Sequence, residues 1–226
     1  MKRTEIAELL DTDAGTAAEI ATSFADLRRI NRWFGGVATA ESLVEAAFRN
    51  LNTNSLTLLE VAAGAGYVPS TVQQRMRRRG LYLDITLLDR AASHLRNGSL
   101  TSATAAVVGD ALALPFRDST FDLVDCSLFT HHLSPEQVVQ FAGEALRVCR
   151  SAVLINDLIR HPLHLALVYA GTPLYRGRIT RHDAPASVRQ AYTIAEMRGM
   201  LAKTAAARVE IRSHYLFRMG AVAWKA

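Results

Sequence analysis

Five short apolar runs, SLTLLEVA, LYLDITLLD, TAAVVGDA, FDLVDCSLF and SAVLINDLI, follow one another along the middle of the chain. Helix-period stretches near 69–79, 90–97 and 135–149 stand between some of them. A strand apolar along its whole length offers no face to water, so both sides of its sheet must be covered. Strands alternating with helices meet that demand as a parallel sheet with helices on each face, a doubly wound α/β domain. After a helix at about 194–203, ARVEIRSHYLFRMGAVAWKA supplies two more strands, joined closely enough to be antiparallel. The expected fold is a seven-stranded sheet, mostly parallel, with a C-terminal antiparallel hairpin and preceding N-terminal helices.

From Glu5 to Asn50 the apolar residues recur at helical spacing, with Ile20, Phe24, Leu27 and Ile30 on one face and Gly35 and Gly36 interrupting. This predicts two or three helices before the core. In the stretch 161–192, HPLHLALVYAG reads as a helix, whereas TPLYRGRITRHDAPAS carries Pro, Gly and charge without a period and predicts a mobile insertion. With 226 residues, half of them hydrophobic, one substantial core and one domain over 1–226 are expected.

The net charge of +5 permits a nucleic-acid partner, yet the positive residues are almost all Arg and are spread along the chain. Arg75, Arg77, Arg78 and Arg79 form the densest cluster, at an expected helix end where cations offset the helix dipole. Cys126 and Cys149 lie in apolar stretches without metal-site spacing and read as small core residues of a reduced, cytoplasmic protein. The N-terminus MKRTEIAELLDTDAG has acids where a signal peptide needs an apolar run, and no segment reaches the length of a membrane span, so no membrane anchor is expected.

The chemistry starts at LLEVAAGAGYVP, residues 58–69, an expected strand and tight turn with one acid, Glu60. Ligands of an open parallel sheet bind beyond the carboxyl ends of its strands, where the strand order reverses. Gly64 and Gly66 lack Cβ atoms and let the backbone bend close to a ligand. Pro69 stands where a nicotinamide-binding fingerprint needs its third glycine, and no Lys-Ser or Lys-Thr pair follows for a phosphate loop. A glycine turn preceded by an acid suits a ligand carrying an ammonium.

In these residues the chain resembles the class I S-adenosylmethionine (SAM)-dependent methyltransferases, of bacterial small-molecule type. The resemblance covers roughly residues 55–160, with Ala62 in place of the usual first glycine. It implies that Glu60 fixes the methionine ammonium, directly or through the loop, and that Ala62, Gly64 and Gly66 form the cofactor turn. Asp89 in ITLLDRA, followed by Arg90, is expected at the ribose hydroxyls, and Asp110 in VVGDALALPF at the adenine amino group with a backbone N–H from Ala111. Leu128 in FDLVDCSLFTHHL closes the cofactor list. The bland reading makes Asp89 and Asp110 helix caps; three acids at the ends of three consecutive strands favour the cofactor.

His131 and His132 follow the fourth strand, where a histidine near neutral pKa serves as general base or positions a phenolic oxygen; in similar quinone-biosynthesis sequences such a pair looks structural, one ring capping the next helix. In INDLIRHP, Arg160 is a candidate to bind a carboxylate or enolate and Asp157 to orient His161, the bland alternative being an ordinary ion pair. The expected catalytic set is thus His131, Arg160 and His161, without a metal. The looser resemblance of the chain ends makes 1–50 a helical lid and 161–192 an insertion over the acceptor. Arg28, Arg32, Trp33, Tyr175, Arg181, His182 and Tyr192 then join His132 and Asp157 at the pocket, with Trp33 and Phe34 equally readable as core anchors.

The resulting expectation is transfer of a methyl group from SAM, leaving S-adenosylhomocysteine, to a small aromatic or polyketide-like hydroxyl acceptor, by a monomer or homodimer. An RNA methyltransferase and a SAM-binding module without turnover stay open beside it.

Overall fold

The computed structural model of the protein describes residues 1–12, 14–96 and 104–226. Seven strands form one sheet: β1 (Ser55–Val61), β2 (Tyr82–Asp89), β3 (Thr104–Val108), β4 (Phe121–Ser127), β5 (Cys149–Leu158), β6 (Arg208–His214) and β7 (Arg218–Trp224). Their order is β3-β2-β1-β4-β5-β7-β6. The first five are mutually parallel, and β7 runs antiparallel between β5 and β6. The order reverses between β1 and β4, which places the ligand crevice there.

Alternation along β1 shows why both faces need cover. Leu56 and Leu58 join Leu43, Val44 and Phe48 of α2 (Gly36–Leu51) and Val72 and Met76 of α3 (Tyr67–Arg77). Leu59 and Val61 join the opposite layer, with Phe141 and Leu146 of α5 (Pro135–Val148) and Met197 of α8 (Ile194–Leu201). Each such large side chain contributes about 1.5–3 kcal/mol by leaving water. Residues 90–97 supply the short helix α4 (Ala92–Arg96), residue 97 lying outside the described residues.

The N-terminal half of the expected lid divides in two. α2 belongs to the core layer, whereas α1 (Ala17–Trp33), opened by a Thr16–Glu19 capping box, lies across the crevice end of the sheet and packs on α7 (Arg178–Gln190). α6 (Pro162–Ala170) forms where HPLHLALVYAG predicts a helix, but the stretch after it differs from the expected aperiodic loop and folds, past a short turn, as α7. The buried stripe of α7 includes Thr180, Asp183 and Gln190 beside Ile179 and Val188, and this half-polar stripe hides the helical period from a hydropathy reading.

Cys126 and Cys149 are buried and free. The Arg75–Arg79 cluster meets the acids of α2, with Arg75 pairing Glu41 at 2.6 Å and Arg79 pairing Glu45. No helix among the described residues is long and apolar enough to cross a membrane.

Candidate active site

The carboxyl ends of β1, β2, β4 and β5, with α1, α6 and α7 above them, enclose a cavity of about 660 Å³. Its walls include Glu60, Ala62, Gly64, Asp89, Arg90, Asp110, Ala111 and Leu128, and also Arg28, Asn31, His164, Tyr175 and Arg218. Asp89 closes β2 and Arg218 opens β7, four strand steps apart in the sheet, so these two stand at opposite ends of the cavity. His131 and His132 stand in the wall as well.

At the first end, the turn after β1 takes three residues in the left-handed region: Ala62 (φ 54°), Gly64 (φ 53°) and Gly66 (φ 67°). A glycine tolerates this freely, whereas Ala62 stores strain of about 1–2 kcal/mol. Leu128, at the end of β4, is likewise left-handed (φ 57°). Two strained residues thus flank the point where the sheet reverses. Gly66 lies outside the cavity wall; a Cβ there would meet Leu87 at 2.7 Å, so its glycine lets α3 sit on the sheet.

Asp89 ties this turn to β2. Its Oδ2 accepts the Gly64 N–H at 2.8 Å and its Oδ1 the Ala91 N–H at 2.9 Å. A carboxylate has about four lone-pair directions, so two remain for a ligand diol. Asp110 is more open, and its Oδ1 accepts the Leu112 N–H at 2.9 Å. Both acids shape local turns, and both face the cavity.

Glu60 also reaches the cavity, and Val44, Leu58, Pro69, Val72 and Asp125 surround it on its other side. It pairs across the β1–β4 register with Asp125, and both are buried. Burial first, and Asp125 second, push the Glu60 carboxyl well above the usual range, and burial raises Asp125 to about 6. The pair therefore holds a proton, with Glu60 as its carrier.

His131 is built into a different network. Its Nδ1–H donates to Asp157 Oδ1 at 2.7 Å and its Nε2 faces Glu8 Oε1 at 3.6 Å. Burial opposes charge on the ring, but Asp157 and Glu8 outweigh it and raise His131 to about 10. Asp157, which burial alone would raise, is held down at about 2 by His131 and Thr130. His132 stacks on His131 with ring centroids 4.1 Å apart and pairs through Nδ1 with Asp11 at 2.8 Å. Glu8, His131 and His132 each bring one ligand-type atom within 4.8 Å of the others, a metal-like grouping that the sequence did not suggest. Both His131 nitrogens already face carboxylates, so the arrangement works as an ion-paired latch between residues 8–11 and the sheet. Neither ring caps α5; Ser134 does so, in a capping box with Gln137.

The remaining expected residues lie elsewhere. Arg160 is outside the cavity wall, where its guanidinium donates to the carbonyls of Met1 and Ala191 and pairs with Glu196 at 2.6 Å. His161 is the N-cap of α6, accepting the Leu163 N–H, and stacks on Phe217; Asp157 orients His131 in its place. Asp157 itself sits behind the wall. Trp33 is 68% exposed and Arg32 lies over its ring, neither of them in the wall. His182 pairs with Asp183, and the buried Tyr192 donates its hydroxyl to Leu133 O. Arg28, His132 and Tyr175 do reach the cavity.

Sequence reasoning missed Glu8 and Asp11, whose acids it weighed only against a signal peptide, and Arg218, which a strand pattern does not distinguish from a surface arginine.

Known proteins resemble this arrangement. Residues 59–155 match the family model described as a methyltransferase domain. The ubiquinone/menaquinone biosynthesis C-methyltransferase of Roseobacter denitrificans is 36% identical over 100 residues, 41% of this chain; the match spans only 38% of that relative's length. The magnesium protoporphyrin IX methyltransferase of Synechocystis PCC 6803, solved with bound S-adenosylhomocysteine, superposes with a TM-score of 0.61 at 16% identity, covering 91% of this chain and 94% of that one. Human N-acetylserotonin methyltransferase, solved with SAM, gives 0.69 at 14% identity over 98% of this chain and 60% of its own. At such identities the likeness to the solved structures is one of fold. Residues 59–155, from β1 into β5, thus carry a methyltransferase-domain match, and the seven-stranded order with its reversed hairpin is the fold of the SAM-dependent methyltransferases on which the chain superposes.

Proposed function

We propose that the protein binds SAM beneath α1 and transfers its methyl group to a small aromatic or polyketide-like acceptor, with oxygen the favoured atom. The observation that carries this reading is Asp89, fixed by the Gly64 N–H at the rim of a cavity that opens where the sheet order reverses. The walls suit the cofactor: Asp89 keeps lone pairs for ribose hydroxyls, and the left-handed turn at 62–66 leaves room for a backbone-hugging ligand. Glu60, protonated beside Asp125, gains a reason to ionise when an ammonium approaches. The volume is in the range of small-molecule sites.

A sulfonium supplies an already electrophilic methyl group, so the chain's own task is alignment and exclusion of water. Bound there, SAM would supply a methyl carbon whose bond to sulfur breaks, with the electron pair going to sulfur, as the bond to the acceptor forms; a hydroxyl acceptor bound as its oxyanion would already have given its proton to solvent. His131 is a cation held between Asp157 and Glu8, so neither of its nitrogens waits to take the acceptor's proton. The match to a C-methyltransferase supports carbon as the second reading for the accepting atom.

Calorimetric titration with S-adenosylhomocysteine tests the cofactor step. Wild type should bind at micromolar concentration, and Asp89→Ala should lose at least about tenfold in affinity with its fold intact. Equal binding by both proteins overturns the assignment. Binding without product from any phenolic acceptor supports a SAM-binding module instead.

A further inference from the structure

Arg218 opens β7 and is 1% exposed, yet it stands in the wall of the cavity at the end opposite Asp89. Its Nε donates to Phe34 O at 3.2 Å and its Nη2 to Asn31 Oδ1 at 3.2 Å, both neutral acceptors. Its Nη1 is buried with no hydrogen-bond partner. No carboxylate lies within ion-pair distance of this guanidinium among the described residues. The nearest influence is Asp157, and the hydrogen bonds that Asp157 accepts come from Thr130, His131 and Leu158.

Buried arginines are normally matched by a carboxylate, because desolvating an unpaired cation is expensive. Burial does press Arg218 toward its neutral form, down to about 10, which still leaves it charged at neutral pH. A charged group held in a cavity wall with one donor edge unused is an incomplete site. An anionic oxygen completes it: the guanidinium fork matches a carboxylate or an aryl oxyanion in both charge and shape.

We infer that Arg218 anchors an anionic oxygen of the methyl acceptor, a carboxylate or a phenolate, at the end of the cavity away from the cofactor. The word acceptor rests on the methyl-transfer reading; the anion site does not. Arg28 and Tyr175 also line the cavity and add a second cation and a flat ring. Arg160, the arginine expected in this role, is instead engaged by Glu196 and two carbonyls outside the cavity wall.

The experiment follows the thermal midpoint of wild type, Arg218→Met and Arg218→Lys while sodium benzoate is titrated at ionic strength held constant with sodium chloride, with benzamide as the neutral isostere. A parallel S-adenosylhomocysteine titration reports on the cofactor site. Benzoate should stabilise wild type saturably and benzamide should not. The Met variant should bind benzoate at least about tenfold more weakly, because a charge-assisted hydrogen bond is lost. Should the Met variant fail to fold, the Lys variant decides, since a single-point ammonium should bind measurably more weakly than the fork. A 4-nitrophenolate arm separates the two oxygen sources, the tighter of benzoate and nitrophenolate naming the class. Equal benzoate response in wild type and variants, or none in wild type that binds S-adenosylhomocysteine, overturns the inference. A benzoate response without S-adenosylhomocysteine binding leaves the anion site standing and removes the methyl-transfer reading.

Discussion

Asp157, near the end of β5, accepts the Nδ1–H of His131 at 2.7 Å, and through that ring it is joined to Glu8 in the N-terminal segment. A carboxylate from the sheet thus decides whether a segment far away in sequence stays closed over the crevice. Breaking a buried pair leaves the other charge uncompensated, and Asp157→Asn should lower unfolding free energy by about 3 kcal/mol. The pH dependence has a definite sign. Asp157 is depressed from 3.8 to about 2, so its contribution is present above 3.8 and is lost as pH falls toward 2. His131 is raised from 6.5 to about 10, so its contribution is full below 6.5 and is lost as pH rises toward 10. Denaturant titrations should show the largest gap between wild type and variant at pH 4–6.5, and a gap unchanged at pH 10 would count against the pairing.

Glu60→Gln should act in the opposite direction. Because the folded protein raises the Glu60 pKa, deprotonation favours the unfolded chain once pH exceeds its ordinary value. An amide removes that burden while still donating to Asp125. The variant should gain on the order of 1 kcal/mol at pH 8 and little at pH 5. S-adenosylhomocysteine affinity of the same variant should fall, separating a ligand-facing acid from a merely tolerated one.

Ala62→Gly should relieve the left-handed strain in the turn after β1. The relief of about 1–2 kcal/mol is partly offset by the greater freedom of unfolded glycine, so a net gain of about 0.5–1 kcal/mol is expected. Ala62→Val should lose stability by more than the glycine gains. A thermal midpoint unchanged by both substitutions contradicts the positive φ.

Asp183→Ala should loosen the segment that covers the crevice. Its two oxygens accept the N–H groups of Leu9 and Leu10 at 2.9 and 3.1 Å. Without them the segment should be cut faster in limited proteolysis, and its amides should exchange with solvent at least about tenfold sooner. Exchange elsewhere in the sheet should stay as in wild type.

How much of this was legible follows from what kind of pattern carried it. Leu58, Leu59 and Val61 alternate between two covered faces, and a fully apolar strand announces that situation directly. Asp89 and Asp110 were legible because they close their strands. α7 was not, since Thr180, Asp183 and Gln190 occupy its buried stripe and are satisfied by partners far along the chain. The far side of the cavity was not legible: an arginine was expected there at position 160, yet Glu196 and two carbonyls engage Arg160 outside the wall, and Arg218 lines it. Such pairings exist only once the sheet has brought residues 1–12, 157–160 and 183–196 together.

That last dependence has a consequence for the order of assembly. Arg3 donates to the carbonyls of His131, Leu133 and Gln190, and Glu8 accepts from Ser187 and Gln190. The ribosome therefore makes this segment long before its partners, and it cannot dock until some 180 further residues have emerged. Residues 3–8 thus dock only after β1 to β5 have been made, so a nascent chain passes through a stage in which those five strands exist and the crevice is still uncovered.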